Sequence, residues 1–398
     1  MSITQIKNAE KIREALSAKR SLVDFFPKEI DIEITSFCNY RCSMCPHALV
    51  GNSCASYMLL SDLKKLSFLF PYCKRIMLQG DGEPLMHPEL VDIIKYLRSF
   101  GCQLCTTTNL SLLTKKMAEV LSNEFEVVTV SCDAGNKEKY EMIRKNGDFN
   151  KFCSNLELLM KSSDSNKIIV NAVIMKQNID CLDELLEFLC SFGIHNVVFS
   201  NLLTTSFLKN TADSVNLMGD YAIKKLNQAK EKAKSLEMCL TINWNYAEIH
   251  SMKEMDISIQ NCKRIFTEEE IKKFSEEYQQ LRSINRDFVL KKGQYKCYGI
   301  CRNIFEKTYI DVHGNITLCC YGKLQPIGNI FKQNFWKTWN ERIYQECRQA
   351  FFEGELPDFC IGCRYAMAAN CQHMQAYPFR ILSLDHRFMD DKEFWDNR

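Results

Sequence analysis

The chain has 398 residues, with 51 basic and 49 acidic side chains and a formal net charge of +2. Because nucleic-acid-binding proteins usually carry a basic excess or stripe, nucleic acid is not an expected partner. There is no run of about eighteen apolar residues and no signal-peptide core, so neither a membrane partner nor secretion is predicted. We expect a cytoplasmic protein, long enough for one large domain and a smaller one.

Cysteine is frequent, with 21 residues. Without a secretory signal, a disulfide framework is not expected, and cysteine clusters in a reducing compartment more often hold metal or perform redox chemistry. Some cysteines stand singly among apolar residues and are expected to be small core side chains: Cys102, Cys105, Cys132, Cys181 and Cys190.

Six short β-like runs alternate with amphipathic stretches in the first half of the chain. The runs are "EIDIEIT" (29–35), "RIMLQ" (75–79), "QLCTTT" (103–108), "EVVTVS" (126–131), "IIVNAVI" (168–174) and "NVVFS" (196–200). Two of the helical stretches end near Gly101 and Gly193, a usual helix stop. This alternation predicts right-handed βαβ units and a parallel sheet, arranged as a partial (β/α)6 TIM-like barrel of the α/β class.

The pattern changes after residue 200, where "CLTINW" could form one more short strand and a polar, partly helical segment follows. A second cysteine-rich region then begins. We predict a helical extension, the barrel, a helical connector or lid, a small domain built from a β-hairpin and a helix, and a tail: 1–28, 29–245, 246–296, 297–375 and 376–398.

Three cysteines with the spacing C-x3-C-x2-C follow the first predicted strand: Cys38, Cys42 and Cys45. They stand at the carboxyl end of that strand, the end that carries the chemistry in βα barrels. Thiolates favour zinc or iron–sulfur clusters. Because a structural zinc site is closed by four ligands, three thiolates suit a [4Fe–4S] cluster with one open iron. The alternatives are a zinc site completed by His47 and core cysteines that bind nothing.

This loop resembles the hallmark of the radical S-adenosylmethionine (SAM) superfamily, C-x3-C-x-aromatic-C after the first barrel strand. Met44 stands where the aromatic residue is usual, at the position that packs on the adenine. The resemblance implies a [4Fe–4S] cluster whose open iron binds SAM, reductive cleavage to a 5′-deoxyadenosyl radical, and hydrogen abstraction from a substrate. It also implies an external electron donor such as flavodoxin or ferredoxin.

Three further segments, in the family's order, resemble its SAM-binding segments. "QGDGEP" is similar to the G-G-E-P segment that meets the methionyl amino group, and "TTTNLS" is similar to T-N-G. "VTVSCDAGNKEKYEMIR" resembles the S-x-D-g…R pattern, whose serine and arginine contact the SAM carboxylate and ribose. The resemblance implies that SAM is bound by Met44, Gly80, Asp81, Gly82, Glu83, Asn109, Ser131, Asp133 and Arg144.

The carboxyl-terminal region contains a second cysteine set around "IDVHGNITLC", which predicts a β-hairpin turning at 313–315. Four thiolates can saturate either zinc or [4Fe–4S]. The pattern resembles the SPASM/Twitch domains of radical SAM enzymes and implies one auxiliary [4Fe–4S] cluster. Its implied ligands are Cys301, Cys319, Cys360 and Cys363. Three more cysteines are candidate ligands or catalytic hydrogen-atom donors: Cys297, Cys320 and Cys371.

The predicted function is a radical SAM oxidoreductase or epimerase acting on a small polar metabolite, such as a sugar or aminocyclitol. The alternative is a maturase of a ribosomally synthesised peptide, acting by crosslinking, thioether formation or epimerisation. Many peptide maturases carry a recognition domain before the barrel, and the 37 residues that precede Cys38 favour the metabolite. An RNA-modifying enzyme and a zinc scaffold without enzymatic activity are the remaining alternatives.

Overall fold

The computed structural model describes residues 1–202, 213–243, 301, 303–318, 326–355 and 357. These residues build one mostly parallel sheet, with the strand order β10-β9-β8-β1-β2-β3-β4-β5-β6-β7. The strands are β1 (Glu29–Ile32), β2 (Arg75–Leu78), β3 (Gln103–Thr108), β4 (Phe125–Ser131), β5 (Ile168–Ile174), β6 (Asn196–Asn201), β7 (Cys239–Asn243), β8 (Lys307–Ile310), β9 (Asn315–Thr317) and β10 (Gly328–Asn329). In this order, each pair of adjacent strands from β8 through β1 to β7 is parallel. Strand β9 is antiparallel to both β8 and β10.

Helices connect the strands. Within the described residues the α-helices are α1 (Ile3–Ser17), α2 (His47–Val50), α3 (Leu60–Lys64), α4 (Leu90–Arg98), α5 (Lys115–Glu124), α6 (Lys137–Ile143), α7 (Phe149–Ser162), α8 (Leu182–Ser191), α9 (Asp220–Ser235), α10 (Asn303–Glu306), α11 (Phe335–Trp339) and α12 (Arg342–Phe352). In α8, Leu182, Leu185, Leu186 and Leu189 are buried. This i, i+3, i+4, i+7 spacing gives the helix one apolar stripe that packs on the sheet.

The predicted α/β partial barrel is confirmed. All six predicted strands form, and "CLTINW" contributes β7. Helices α4 and α8 are followed by Gly101 and Gly193, whose φ angles are +73° and +76°. Over the described residues the sheet is open, with β10 and β7 as its two end strands.

The two faces of the sheet have different partners. Side chains such as those of Ile76, Leu104 and Val128 join the main hydrophobic core with the helices. Residues paired in register point to the same face of the sheet, and successive residues of a strand point to opposite faces. The side chains that alternate with these core residues therefore line the concave inner face. An apolar cluster forms the floor of that face: Met77, Cys105, Val127, Ile169 and Val198.

The predicted hairpin of the cysteine-rich region extends the barrel sheet directly. Strand β8 runs parallel to β1, with Glu29 opposite Lys307 and Ile32 opposite Ile310. Strand β9 returns antiparallel to β8, with Ile310 opposite Ile316. The hairpin therefore covers an edge of β1 whose backbone groups would otherwise be unpaired.

The structure also bears on the isolated cysteines, on a membrane span and on the predicted connector and tail. Cys102, Cys105 and Cys132 are buried, whereas Cys181 and Cys190 are half-buried. No helix among the residues that the structure describes is long and apolar enough to cross a membrane. The predicted connector or lid and the tail lie outside the described residues.

A buried arginine fastens the last described helix to the amino-terminal segment. Arg348 on α12 is fully buried. Its guanidinium donates to the carbonyl of Ile304 at 3.1 Å, of Ser21 at 3.1 Å and of Trp339 at 3.0 Å. Burial lowers the pKa of Arg348 to about 10. One side chain thereby connects three separate parts of the chain.

We expect Arg348→Met to lower the free energy of unfolding by about 2–5 kcal/mol, because each buried carbonyl left without a donor costs about 1–3 kcal/mol. Urea denaturation followed by circular dichroism measures the change. The control is Arg342→Met on the same helix, where the side chain is 78% exposed and the change should stay within about 0.5 kcal/mol. Equal effects of the two substitutions would contradict this account of Arg348.

Candidate active site

The cysteine loop begins at the carboxyl end of β1, and Cys38, Cys42 and Cys45 are partly exposed there. Asn52 fixes its start, because its side-chain oxygen accepts from Cys38 N at 3.1 Å and its amide donates to Cys38 O at 3.2 Å. Within the loop, Cys45 N donates to Cys42 O at 3.0 Å. The loop thus keeps its three partly exposed cysteines within eight residues of one another at the carboxyl end of β1.

The thiols have the chemistry of cluster ligands. Burial raises the pKa of Cys38 and of Cys42 to about 11, and the Arg144 guanidinium opposes this shift at Cys42. Both thiols are therefore protonated near neutral pH in the metal-free protein, and iron must displace their protons. Among the described residues, no three His, Cys, Asp or Glu side chains are arranged to hold a single metal ion. A [4Fe–4S] cluster does not need such convergence, because its thiolates bind different irons.

The glycine segment after β2 is in backbone contact with the residues that lead into the cysteine loop. Glu83 N donates to Phe37 O at 2.8 Å. A Cβ on Gly82 would lie 2.3 Å from Thr35 O and 2.6 Å from Phe37 O. Only glycine allows the backbones to approach so closely.

The Glu83 carboxylate is buried and joins two loops. It accepts from Leu85 N at 3.1 Å in its own loop, and at 2.6 Å each from Thr108 Oγ1 at the end of β3 and from Asn109 N just after it. Burial raises the pKa of Glu83, while the donated hydrogen bonds oppose this rise. The carboxylate thus sets the relative position of the two predicted SAM-binding segments.

The segment after β3 also contacts the cysteine loop. Asn109 Nδ2 donates to Asn39 Oδ1 at 3.1 Å, and Asn39 Nδ2 donates to Ser111 Oγ at 2.8 Å. Leu110 stands where the family has glycine and adopts a φ of +64°. Its side chain is fully buried, so packing stabilises a backbone conformation that L-residues rarely adopt.

The segment after β4 provides a buried ion pair. Arg144 Nη2 lies 2.8 Å from Asp133 Oδ2, and Asp133 Oδ1 accepts from Val173 N at 2.8 Å. Arg144 Nη1 is 3.9 Å from Cys42 Sγ. Burial raises the pKa of Asp133, and the guanidinium of Arg144 opposes that shift. Asp133 therefore fixes a cation beside one of the candidate cluster ligands.

The remaining predicted residues of this site lie around the same mouth. Ser131 ends β4 and is partly exposed, and Asp81 and Gly80 are in the glycine segment. Met44 packs against a small apolar cluster: Ile143, Met175 and Leu202. An apolar wall, a glycine cradle and partly exposed thiols fit SAM and its cluster. His47, the fourth zinc ligand of the alternative interpretation, is buried and its Nε2 has no hydrogen-bond partner among the described residues.

Of the predicted auxiliary-cluster ligands, Cys301 alone is among the described residues. It is half-buried, packs against the main hydrophobic core and precedes α10 and β8. The other cysteines of this set lie outside the described residues: Cys297, Cys319, Cys320, Cys360, Cys363 and Cys371.

Sequence reasoning missed residues that support this site without standing in its motifs. Asn39 and Asn52 hold the cysteine loop through the hydrogen bonds described above. Glu33 accepts from Asp81 N at 2.7 Å. A signal for Glu33 existed, because a charge in a strand of a parallel sheet is unusual and demands a partner. Nothing in the spacing of the two asparagines pointed to their partners.

Comparisons with known proteins agree with this geometry. The sequence profile of the radical SAM superfamily matches residues 32–189. The profile of the SPASM iron–sulfur cluster-binding domain matches residues 297–364. The chain thus contains a radical SAM domain followed by a SPASM iron–sulfur domain, and its cofactors are [4Fe–4S] clusters and SAM.

Two curated relatives are similar to different extents of the chain. The AdoMet-dependent heme synthase of Methanosarcina barkeri is 23% identical over 368 residues, which cover 89% of this chain and 96% of that protein. The tungsten-containing aldehyde ferredoxin oxidoreductase cofactor-modifying protein of Pyrococcus furiosus is 29% identical over 184 residues, covering 44% of this chain. In that second relative, the match spans 52% of its length.

Two solved structures share the fold. Streptococcus suis SuiB bound to the precursor peptide SuiA has a TM-score of 0.59 at 15% identity, covering 87% of this chain and 71% of that one. The enzyme anSMEcpe with bound AdoMet and a peptide has a TM-score of 0.54 at 17% identity, covering 80% of this chain and 82% of that one. The predicted fold of the radical SAM type is thereby confirmed.

We expect Gly82→Ala to reduce iron incorporation at the cysteine loop. The new methyl group meets two backbone carbonyls and therefore pushes the glycine segment away from residues 35–37. Iron and sulfide analysis after anaerobic reconstitution measures the loss. The control is Gly101→Ala, where the added Cβ meets no atom within 4 Å and the cost comes from the positive φ alone. Full iron content in Gly82→Ala would contradict the contact.

We expect Arg144→Met to lower the free energy of unfolding by about 3–5 kcal/mol, because it leaves the Asp133 carboxyl buried without its partner. The double variant Arg144→Met/Asp133→Asn should recover part of the loss. Arg98→Met, which breaks a half-exposed pair with Glu124 and Glu126, should cost no more than about 1 kcal/mol. Urea denaturation of the metal-free protein compares them, and no recovery in the double variant would refute the pairing.

Proposed function

We propose that this chain is a radical SAM enzyme that holds its SAM-cleaving [4Fe–4S] cluster with Cys38, Cys42 and Cys45. The observation that carries the proposal is the three-thiol loop at the carboxyl end of β1, in backbone contact with the glycine segment at Gly82 and Glu83. When bound, SAM and this cluster supply a 5′-deoxyadenosyl radical that abstracts a hydrogen atom from the substrate.

The side chains of the site have distinct roles in this proposal. Glu83 holds the loops after β2 and β3 at one position, so that Gly80 to Glu83 can face the methionyl group. Asp133 orients Arg144 beside Cys42, where a positive charge stabilises the thiolate form. Met44 contributes the apolar surface for the adenine, and Ser131 and Asn109 supply polar contacts to SAM.

The auxiliary cluster is proposed to be held by Cys301, Cys319, Cys360 and Cys363, all within the region that matches the SPASM profile. Four thiolates leave that cluster closed, so its part is to accept the electron that a substrate radical loses together with a proton. Cys297, Cys320 and Cys371 remain candidates for a hydrogen-atom donor in an epimerisation.

We propose a peptide as the substrate. Two structures that share the fold over at least 80% of this chain hold a peptide, namely SuiB with its precursor peptide and anSMEcpe with a bound peptide. The reaction is then oxidation, crosslinking or epimerisation of a residue of that peptide, with an external reductant such as a flavodoxin or ferredoxin supplying the first electron.

The second candidate is a small-molecule substrate. It is favoured by the match to the AdoMet-dependent heme synthase, which covers 96% of that protein. The sugar- or aminocyclitol-like substrate predicted from the sequence receives no specific support from the relatives and structures described above.

We expect Cys45→Ala to abolish 5′-deoxyadenosine formation, because the cluster loses one of its three thiolates. The assay is anaerobic incubation of the reconstituted protein with SAM and a strong reductant, followed by chromatography and mass spectrometry. Cys54→Ala is the matched control, since this exposed cysteine lies outside the C-x3-C-x2-C pattern, and should retain full activity. Zinc without sulfide in the wild-type protein would overturn the proposed function.

The substrate class is tested in the same reaction by adding either candidate peptides or porphyrins and other small metabolites. A loss of about two mass units reports oxidation or crosslinking, because one hydrogen atom, one electron and one proton leave the substrate. An unchanged mass with deuterium uptake from solvent reports epimerisation. Turnover of small molecules alone would reverse the choice between the two candidates.

A further inference from the structure

Strand β1 and the residue that follows it carry an unusual row of alternating acidic side chains: Glu29 and Asp31 in the strand, and Glu33 directly after it. Each carboxylate meets a partner on a neighbouring element. Glu29 lies 3.5 Å from Arg75 Nη1 on β2, and Asp31 lies 3.0 Å from Lys307 Nζ on β8. The first two acids of the row therefore connect β1 to the strands on both of its sides.

Glu33, the third acid, has no exposed surface and contacts two backbone amides. Its Oε1 accepts from Asp81 N at 2.7 Å, in the glycine segment after β2. Its Oε2 accepts from Val312 N at 3.4 Å, in the turn that follows β8. One carboxylate thus links the predicted SAM-binding segment to the hairpin of the SPASM region.

The glycine segment is shaped around this side chain. A Cβ on Gly80 would lie 2.2 Å from Glu33 Cγ and 2.6 Å from Glu33 Oε1. The segment therefore passes directly over the Glu33 side chain, with a glycine at the point of contact. Asp81, whose N–H is held by Glu33, is followed by Gly82, which contacts the residues leading into the cysteine loop.

We infer that Glu33 is a positioning residue for the SAM-binding segment, and that its carboxylate couples the position of this segment to the docking of the β8–β9 hairpin. The inference rests on the proposed function for its statement about SAM. Glu33 acts through the backbone of Asp81 and Val312, not by contact with the reacting atoms. Docking of the SPASM region and SAM affinity are then linked through one buried group.

The substitution Glu33→Gln separates the contact of residue 33 with Asp81 N from its contact with Val312 N. A glutamine has nearly the same shape but presents one acceptor and one donor, whereas both backbone N–H groups require an acceptor. The amide oxygen should remain with Asp81, where the bond is shorter, and the NH2 group then faces Val312 N. Glu33→Gln should therefore loosen the hairpin turn first, and Glu33→Ala should loosen both segments.

Hydrogen–deuterium exchange of the metal-free protein tests this order without any cofactor. In Glu33→Gln, the peptide containing Val312 should exchange about tenfold faster and the peptide containing Asp81 should change less, since loss of a hydrogen bond of about 1.4 kcal/mol is a factor of ten. The control is Glu29→Gln, the same change on the same face of β1, which should leave both peptides unchanged. Unchanged exchange at Val312 in Glu33→Gln would overturn the coupling.

Kinetics of the reconstituted enzyme test the link to SAM. Glu33→Ala, which also releases Asp81 N, should raise KM for SAM about tenfold with little change in kcat, because the segment is displaced before SAM binds while the chemistry is intact. A purely stabilising role would lower the amount of folded enzyme without changing KM. If the wild-type protein cleaves SAM and KM is unchanged in Glu33→Ala, the inference fails while the proposed function stands. If the wild-type protein does not bind SAM, both fail.

A double-mutant cycle between Gly80 and Glu33 tests the contact from the side of the glycine segment. Because the cycle compares the loss caused by one substitution in two backgrounds, the stability of a single Glu33 variant does not decide its outcome. Gly80→Ala should weaken SAM binding because its methyl group meets the Glu33 side chain. In the Glu33→Ala background the same substitution should cost less, since the Cγ and Oε1 atoms are gone and only the Cβ of residue 33, at 2.7 Å, remains. Equal losses in the two backgrounds would show that Glu33 does not determine the path of the segment.

Discussion

The candidate active site depends on the close approach of two backbones at the carboxyl ends of β1 and β2. Gly82 lies so near the carbonyls of Thr35 and Phe37 that a methyl group does not fit, and Glu83 N donates to Phe37 O. Because Cys38 is the next residue after Phe37, a shift of the glycine segment moves the first thiol. The glycine segment and the cysteine loop, the candidate sites for SAM and for the cluster, are therefore one structural unit.

Local signals in the sequence predicted the strands and the order of the site segments. Alternating apolar residues and the stops at Gly101 and Gly193 depend on neighbours in the chain, so they can be read without a fold. The partners of buried polar groups could not be predicted in this way. That Arg144 pairs with Asp133, or that β8 pairs with β1, depends on which surfaces meet after folding.

The continuity of the sheet connects the two cysteine regions of the chain. Cys38 follows β1, whereas Cys301 precedes β8, the strand that pairs with β1 in parallel register. Charged side chains at this seam, such as Asp31 with Lys307, are buried or half-buried. The SPASM region and the barrel are thus joined by backbone pairing and by ion pairs.

We propose above all that the loop of Cys38, Cys42 and Cys45 holds a [4Fe–4S] cluster with an open iron that binds SAM. The most direct measurement is electron paramagnetic resonance of the reduced, reconstituted protein with and without SAM. SAM should change the signal of one cluster, and Cys38→Ala should remove this response while the auxiliary-cluster signal persists. A spectrum that SAM leaves unchanged in the fully reconstituted wild-type protein would contradict the claim.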